Sequence, residues 1–193
     1  MDKAAVFLDR DGVLVEEAGL ITSAEQLRLL PGVPQALSRL RAAGFRLVVV
    51  SNQAIVARGM INEEQLDAIH AELCRMLESR GGPRLDAIYA CPHHPQADLP
   101  AYRVECDCRK PRSGLLLRAA REQGLDLAAS YMIGDRITDI AAGAGAGCRT
   151  VLVRSPASDA APIVTSEPIE DSLCPDYICD SLEAAADWIL WTP

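Results

Sequence analysis

The sequence has no excess of basic residues and no long apolar segment. Its 193 residues include 19 Lys and Arg against 27 Asp and Glu, which gives a net charge of −8. Because nucleic-acid binding depends on clustered Lys and Arg, this balance argues against a nucleic-acid partner. No apolar run approaches the roughly 20 residues of a membrane helix, so we expect no membrane association.

A signal peptide and a disulfide framework are also missing from the sequence. The first residues run directly into an apolar strand pattern and leave no room for a secretory signal, so we expect a cytoplasmic protein. The seven cysteines are an odd number, which argues against paired disulfides. In a reducing compartment, closely spaced cysteines are more often metal ligands, and three of the seven lie within residues 91–108.

Short apolar runs alternate with longer amphipathic segments along the chain. Near-continuous apolar runs of this kind predict strands of a parallel sheet that is covered on both faces. The predicted strands are 6–8, 47–50, 87–90, 131–133 and 151–153, with a further edge strand at 177–179. The predicted helices are 34–43, 63–80, 115–123, 138–146 and 181–190, the last with Ser181 as its N-cap. The alternation predicts an α/β fold with a doubly wound parallel sheet, and the length favours a single domain over residues 1–193.

Two segments interrupt this alternation. Residues 91–114 carry the cysteine cluster and no clear period, so we expect a functional loop there. Residues 155–176 combine four prolines with small and acidic residues, and we expect a mobile connection. Elsewhere, His70 is expected at the surface or at the boundary of its helix, and Trp188 and Trp191 are expected to pack on the sheet.

Polar side chains follow the predicted strands at the edge where open parallel sheets bind ligands. The set comprises Asp9, Asp11, Ser51, Asn52, Arg109, Lys110, Asp135, Arg136 and Asp139. Asp9 and Asp11 share one side of the extended chain and would repel each other without a cation. With Asp135 they make an all-oxygen site suited to Mg²⁺, which also accepts phosphate oxygens. Lys110 would neutralise a bound phosphate and the Ser51 hydroxyl would donate a hydrogen bond to it.

The cysteine loop combines three thiols with an imidazole. Cys91 and His93 stand two residues apart, and Cys106 and Cys108 repeat that spacing after twelve intervening residues. Three thiolates and one imidazole make a closed, tetrahedral zinc site of the structural type. By spacing alone, His94 is an equal candidate for the imidazole ligand.

The run from Asp9 to Val13 after a hydrophobic strand resembles the first signature motif of the haloacid-dehalogenase-like (HAD-like) phosphatases. Ser51, Lys110 and the segment from Gly134 through Asp135 to Asp139 match the second, third and fourth motifs of that superfamily, in order. The resemblance implies that Asp9 is the nucleophile and that Asp11 is the general acid/base. It also implies Mg²⁺ held by Asp9, by the Asp11 backbone carbonyl and by Asp135. The motif spacing leaves no room for a large cap domain, so we expect an open site.

The cysteine loop carries a narrower resemblance. Residues 91–95 and 106–111 are similar to the zinc-loop subgroup that contains heptose-1,7-bisphosphate 7-phosphatases and bacterial histidinol-phosphate phosphatases. This resemblance implies Zn²⁺ bound by Cys91, His93, Cys106 and Cys108. It also implies substrate contacts from Ser51, Asn52, Arg109, Lys110 and Arg136, and from Glu17, Gly19 and Leu20 of the first loop.

Taken together, the resemblances imply a Mg²⁺-dependent phosphomonoesterase that works through an aspartyl-phosphate. The expected substrate is D-glycero-D-manno-heptose 1,7-bisphosphate, cleaved at the 7-phosphate, and histidinol phosphate stays an alternative. A non-catalytic phosphate-binding scaffold is the alternative from another class, and Asp11 argues against it because a binder needs no acid/base. The expected partner is therefore a small phosphorylated metabolite, and the chain is expected to be a monomer or a weak dimer.

Overall fold

The computed structural model describes residues 3–155 and 173–191, which contain six strands and six helices. The strands are β1 (Lys3–Leu8), β2 (Arg46–Asn52), β3 (Ala87–Cys91), β4 (Leu125–Gly134), β5 (Arg149–Val153) and β6 (Tyr177–Cys179). The helices are α1 (Val33–Ala42), α2 (Ala54–Ala57), α3 (Glu63–Ser79), α4 (Gly114–Gln123), α5 (Ile137–Ala146) and α6 (Leu182–Trp191), with single 3-10 turns at Ala24–Gln26 and Pro100–Tyr102. The predicted elements are therefore present, with ends shifted by up to six residues, and α2 is a short helix that was not predicted.

All six strands join one sheet in the order β3-β2-β1-β4-β5-β6, and every neighbouring pair is parallel. The order reverses between β1 and β4, because the chain crosses back over the sheet there. Open α/β sheets bind ligands in the crevice at such a switch point, beyond the carboxyl ends of the strands. The prediction of a doubly wound parallel sheet is confirmed.

Alternate residues of β1 face two separate layers of the core. Val6 and Leu8 are fully buried in a cluster with α1, α3 and α6, whereas Ala5 and Phe7 are fully buried in a cluster with α4 and α5. A strand that is apolar on both faces has to be covered on both, as parallel sheets require. This double cover fixes the ends of β1, β2 and β4 rigidly beneath the crevice.

Strand β4 is longer than predicted. A bulge interrupts the apolar pattern of its first half, so the sequence does not indicate a strand there. Its pairing with β1 jumps from Asp126 opposite Ala4 to Tyr131 opposite Val6. In the gap, the Ala5 N–H donates to the Ser130 hydroxyl at 2.9 Å and that hydroxyl donates to the Asp126 carbonyl at 2.5 Å. A polar residue that replaces a ladder partner breaks the apolar run on which the prediction depended.

The structure corrects two expectations about single side chains. His70 is only 7% exposed. It lies four residues after Leu66 on the face of α3 that packs on the core. Trp191 is 84% exposed rather than packed on the sheet, whereas Trp188 stacks on Tyr177 with 5.0 Å between ring centroids. In both cases the position of the residue around its helix decides its burial.

The N-cap of α6 agrees with the sequence. The Ala184 N–H donates to the Ser181 hydroxyl at 3.2 Å. Most of the predicted connection at 155–176 lies outside the described residues. No described helix is both long and apolar enough to cross a bilayer. Within the described chain, only α1 and a 3-10 turn separate Asp11 from β2, so the first connection holds no cap domain.

Candidate active site

A cavity of about 650 Å³ opens beyond the carboxyl ends of β1, β2 and β4. Its wall includes all but one of the predicted catalytic, Mg²⁺-binding and substrate-binding residues. Those in the wall are Asp9, Asp11, Glu17, Gly19, Leu20, Asn52, Arg109, Lys110, Asp135 and Arg136. The remaining one, Ser51, is the penultimate residue of β2 and is only 1% exposed.

Lys110 is bonded to two buried carboxylates at the floor of the cavity. Its Nζ donates to Asp9 Oδ1 at 2.8 Å and to the Val50 carbonyl at 2.8 Å, and it lies 2.6 Å from Asp139 Oδ1. Burial opposes the charge of the lysine, but Asp139 and Asp9 outweigh it, so the pKa of Lys110 is raised. The lysine is therefore a fixed positive charge next to Asp9.

Asp9, Asp135 and Asp139 form a compact carboxylate cluster. One oxygen from each of the three lies within 4.8 Å of the others, and all three residues are buried. Burial, together with Asp9 and Asp139, raises the pKa of Asp135 to about 7. The Asp135 Oδ1 atom is also buried without a hydrogen-bond partner among the described residues. Excess negative charge and an orphaned oxygen both fit a hard divalent cation that takes oxygen ligands, such as Mg²⁺.

Gly12 lets the turn after β1 approach this cluster. Its φ is 78°, in the left-handed region that favours glycine. A Cβ at this position would collide with the Asp135 carboxylate. The glycine therefore places the backbone that follows Asp11 directly against one member of the cluster.

The Asp11 side chain points into a separate hydrogen-bond network. Arg10 donates to both Asp11 oxygens, at 2.9 and 2.8 Å, and the Gln53 amide donates to Oδ2 at 3.1 Å. The same Gln53 amide donates to the Ser51 hydroxyl at 2.7 Å. Since that bond uses the hydroxyl as an acceptor, its hydrogen stays available for a bound phosphate. The network thus links the predicted acid/base to the predicted phosphate donor.

Asn52 holds the backbone of Lys110 rather than pointing at a ligand. Its Nδ2 donates to the Lys110 carbonyl and its Oδ1 accepts from the Lys110 N–H, both at 3.0 Å. Both ends of the side-chain amide are therefore used on one residue. The arrangement ties the end of β2 to the end of the cysteine loop and fixes where the Lys110 side chain begins.

The first loop and the start of α5 form the opposite rim. The Arg136 guanidinium lies 3.6 Å from the Glu17 carboxylate, and both line the cavity. Burial raises the pKa of Glu17, Asp11 adds to the rise, and Arg136 opposes it. Leu20 is 39% exposed on the same rim. These positions agree with a role in contacting the part of a substrate that extends out of the site.

The cysteine loop brings its three predicted thiols and His93 together. The Sγ atoms of Cys91, Cys106 and Cys108 lie 2.9 to 3.5 Å apart, and His93 Nδ1 lies 3.4 Å from Cys108 Sγ. Ligand atoms of all four lie within 4.8 Å of one another. The hydrogen bond with Cys91 lowers the pKa of Cys108, whereas the hydrogen bond with Cys108 and burial raise the pKa of Cys91, and burial raises that of Cys106. His94 is not part of this group, so the geometry decides between the two histidines, and the four residues could hold a zinc ion.

Three residues of the site were given no role from the sequence. Asp139 matched the fourth motif, but its ion pair with Lys110 depends on the turn that starts α5. Arg10 is 1% exposed and Gln53 is 2% exposed, although both are polar residues that a pattern reading places in solvent. The sequence could have indicated Arg10 and Gln53, since each stands close to a motif residue at the end of a strand.

Comparison with known proteins supports the same assignment. A family model described as HAD-hydrolase-like matches residues 107–185. The D-glycero-D-manno-heptose-1,7-bisphosphate 7-phosphatase of Thermosynechococcus vestitus is 41% identical over 192 residues, which are 98% of this chain and 96% of the relative. The D-glycero-beta-D-manno-heptose-1,7-bisphosphate 7-phosphatase of Escherichia coli K12 is 39% identical over 187 residues, which are 96% of this chain and 87% of the relative.

A solved structure is also similar to this chain over nearly its full length. The crystal structure of D,D-heptose 1,7-bisphosphate phosphatase from B. bronchiseptica, complexed with magnesium and phosphate, superposes with a TM-score of 0.78. It is 33% identical and the match covers 97% of this chain and 98% of that one. Identity above 30% over nearly the full length, with the same parallel sheet, confirms the family that the motifs predicted. The chain therefore belongs to the HAD-like phosphatases, in the family that contains these heptose bisphosphate phosphatases.

Proposed function

We propose that this chain is a Mg²⁺-dependent phosphomonoesterase that removes the 7-phosphate of D-glycero-D-manno-heptose 1,7-bisphosphate. The observation that carries the chemistry is the buried Asp9–Lys110–Asp139 ion pairing beside Asp135. It combines a carboxylate nucleophile, a fixed cation for phosphate and a carboxylate set that fits a hard metal ion. The names of the relatives support the substrate.

In this proposal Asp9, the Asp11 backbone carbonyl and Asp135 hold Mg²⁺, and the ion when bound would neutralise charge on the phosphate oxygens. An Asp9 oxygen attacks phosphorus and the bond from phosphorus to the sugar oxygen breaks, which leaves an aspartyl-phosphate. Asp11 gives a proton to the leaving oxygen. It then takes a proton from the water that attacks the phosphorus of the aspartyl-phosphate, and the bond from phosphorus to the Asp9 oxygen breaks, which releases inorganic phosphate and restores the Asp9 carboxylate. Lys110 and the Ser51 hydroxyl hold the phosphoryl oxygens while charge shifts between them.

The charge of the cavity rim favours a bisphosphate over histidinol phosphate. Besides Arg10 and the aspartates of the motifs, the cavity wall carries four arginines and one carboxylate, namely Arg58, Arg109, Arg136, Arg154 and Glu17. Cations of this kind attract a second phosphate group. They would repel the ammonium group of histidinol. The arginines therefore favour heptose bisphosphate over histidinol phosphate as the substrate.

We also infer that Cys91, His93, Cys106 and Cys108 hold a structural Zn²⁺, because a closed set of three thiols and an imidazole is typical of such sites. The ion would order the loop that ends in Arg109 and Lys110. A site of this type needs reduced thiols, which supports a cytoplasmic location. We propose that the whole chain works as one catalytic domain, as a monomer or a weak dimer.

Phosphate release in the presence of Mg²⁺ tests the proposed function. The panel contains both anomers of the heptose bisphosphate, heptose 7-phosphate, histidinol phosphate and common sugar phosphates, each with wild type and with Asp9→Asn. We expect the highest kcat/KM for the heptose bisphosphate and a loss of at least about 1,000-fold in kcat for Asp9→Asn. Preference for histidinol phosphate would overturn the substrate. Near wild-type turnover by Asp9→Asn would overturn the mechanism, and no turnover at all by wild type would favour a phosphate-binding scaffold.

A further inference from the structure

The second histidine of the cysteine loop, His94, is left without a role by the thiol cluster. His93 Nδ1 approaches the sulfur atoms of Cys91 and Cys108, at 3.8 and 3.4 Å, and His94 is not in this group. His94 is nevertheless 8% exposed and lines the active-site cavity. His94 therefore presents to the cavity an imidazole that the thiol cluster does not use.

The hydrogen bonding of His94 decides which ring nitrogen carries the hydrogen. The backbone N–H of Gln96 donates to His94 Nδ1 at 3.1 Å. A backbone N–H can only donate, so Nδ1 acts as the acceptor and the ring hydrogen lies on Nε2. The loop backbone therefore presets His94 as a hydrogen-bond donor through Nε2.

The backbone of His94 is fixed as well. Its N–H donates to the Tyr102 carbonyl at 3.1 Å, and its own carbonyl accepts from the Ala97 N–H at 3.1 Å. With the bond to Nδ1, three hydrogen bonds hold the residue in one place and one orientation. A side chain that is ordered before substrate arrives loses little entropy on binding, which suits a residue that selects a ligand.

His94 is part of the cavity wall, and the Nε2 edge of its ring is not used by the described part of the protein. Among the described residues, Nε2 of His94 has no protein partner and is not one of the polar atoms sealed off without one. Arg109 and Arg58, which line the same cavity, interact electrostatically with the ring. His94 thus adds a short, directional neutral donor to a cavity wall that also carries the longer side chains of Arg58 and Arg109.

We propose that His94 is a specificity-determining residue whose Nε2–H donates to an oxygen of the leaving group, outside the phosphoryl group that is transferred. The acceptor is a sugar hydroxyl or an oxygen of the second phosphate. The proposal rests on the proposed function, because it requires a leaving group that is rich in oxygen. It predicts that removing this donor weakens discrimination and leaves the phosphoryl chemistry intact.

The test compares His94→Phe with His94→Gln on three substrates. Phenylalanine keeps the ring volume without a donor, whereas the glutamine amide restores a donor near the position of Nε2. The substrates are heptose 1,7-bisphosphate, heptose 7-phosphate and p-nitrophenyl phosphate, whose leaving group lacks hydroxyls and a second phosphate. For His94→Phe we expect kcat/KM on the bisphosphate to fall about tenfold, mainly through KM, which is the loss of one neutral hydrogen bond. Activity on p-nitrophenyl phosphate should stay within about twofold of wild type, and His94→Gln should recover part of the loss.

Bound zinc is measured in each variant, so that damage to the neighbouring thiol cluster is detected directly. An effect confined to the bisphosphate would support the proposal and identify the second phosphate as the acceptor. An effect on both heptose substrates would support it and identify a hydroxyl. Equal losses on all three substrates, or no loss on either sugar, would overturn it. If wild type prefers another oxygen-rich phosphate ester, the proposed function fails and the same ratio is measured with that ester, so the two failures remain distinguishable.

Discussion

At the scale of single residues, Lys110 balances the charge of the carboxylate cluster. It is 3% exposed and contacts Asp9 and Asp139, and without it those two buried carboxylates would lose their ion-pair partner. We expect Lys110→Met to lower kcat by at least about 100-fold, because a fixed charge at the transferred phosphoryl group is lost. The free energy of unfolding should also fall by about 3–5 kcal/mol, which is typical when one partner of a buried ion pair is removed.

The change in melting temperature on addition of Mg²⁺ is a second test of the role of Lys110. A divalent cation can replace part of the missing positive charge, so millimolar Mg²⁺ should raise the melting temperature of Lys110→Met more than that of wild type. Lys3→Met is the matched control, because Lys3 is exposed at the start of β1. It should leave kcat and the Mg²⁺ response unchanged. A Lys110→Met chain that keeps wild-type stability without metal would contradict the role given to the lysine.

His70 makes stability depend on pH. Burial, helped by the charge of Arg10, lowers its pKa from 6.5 to about 4 in the folded chain. Between those values the unfolded chain binds the proton and the folded chain does not, so stability falls as the pH falls. From pH 7 to pH 5, wild type should lose up to about 2 kcal/mol of unfolding free energy through this one group. Denaturant unfolding of wild type and His70→Leu at both pH values measures the difference, and parallel losses in the two proteins would contradict it.

The single residues that were predicted have one property in common. Asp9 and Asp135 stand directly after a strand, and Lys110 stands two residues after the last cysteine of the loop, where the chemistry of the side chain shows in the sequence. Arg10 and Gln53 act through contacts with residues elsewhere in the chain, and such contacts depend on side-chain direction. Asn52 is a further example of a contact that the sequence does not predict. Its position in the cavity wall was predicted, but its hydrogen bond to the Lys110 backbone was not.

At the scale of elements, the cysteine loop positions the cations that follow it. Arg109 donates to the His93 carbonyl at 3.1 Å, directly after the last thiol of the cluster. The loop contains little apolar surface with which to order itself without a metal. We expect Cys106→Ser to give a folded chain without zinc whose kcat/KM is at least about tenfold lower, because Arg109 loses its anchor on the loop and the backbone that leads to Lys110 is held from one side only. Metal analysis, circular dichroism and phosphate release measure the three parts of this prediction.

Cys148→Ser is the matched control for the cysteine loop. Cys148 is buried beside α5 and lies outside the thiol cluster, so its replacement should leave zinc content and kinetics unchanged. Unchanged kinetics in a zinc-free Cys106→Ser chain would show that the loop does not position the cations. Global unfolding of that variant would show that the metal holds the fold together, and Cys91, at the end of β3 in the core, is the ligand through which this would act.

Elements were predicted where apolar residues run without interruption. Strands β1 and β2 have such runs because both of their faces are buried, and their predicted positions agree with the structure. The first half of β4 was not predicted, because Asp126 and Ser130 interrupt the apolar run, and the Ser130 hydroxyl replaces a backbone acceptor in the bulge. The phase of α3 was available from Leu66, Ile69 and Leu73, and it would have placed His70 correctly.

At the scale of the whole molecule, the sheet order brings distant segments to one point. Asp9, Asn52 and Asp135 lie at the ends of β1, β2 and β4, which are neighbours only because the order reverses beside β1. Alternating strands and helices predict that such a crevice exists, and the motifs predict which ends meet there. The carboxylate cluster and the cysteine loop are then joined through the hydrogen bonds between Asn52 and Lys110, and sequence spacing does not show that connection.

The two proposed metals should leave the folded molecule under different conditions. The cluster of Asp9, Asp135 and Asp139 lines an open cavity and offers few protein ligands, so Mg²⁺ should exchange within the time of an assay. Three thiolates and an imidazole close the zinc site, and such sites bind far more tightly at neutral pH. Brief treatment with EDTA should therefore abolish phosphate release while about one zinc per chain stays bound, and added Mg²⁺ should restore the full rate. After zinc is removed with a mercurial reagent and a chelator, and the thiols are then freed again with dithiothreitol, Mg²⁺ alone should restore less than about a tenth of the rate. Full recovery with Mg²⁺ alone would show that the cysteine loop needs no metal to place Lys110, and loss of zinc in the brief treatment would show that the site is open.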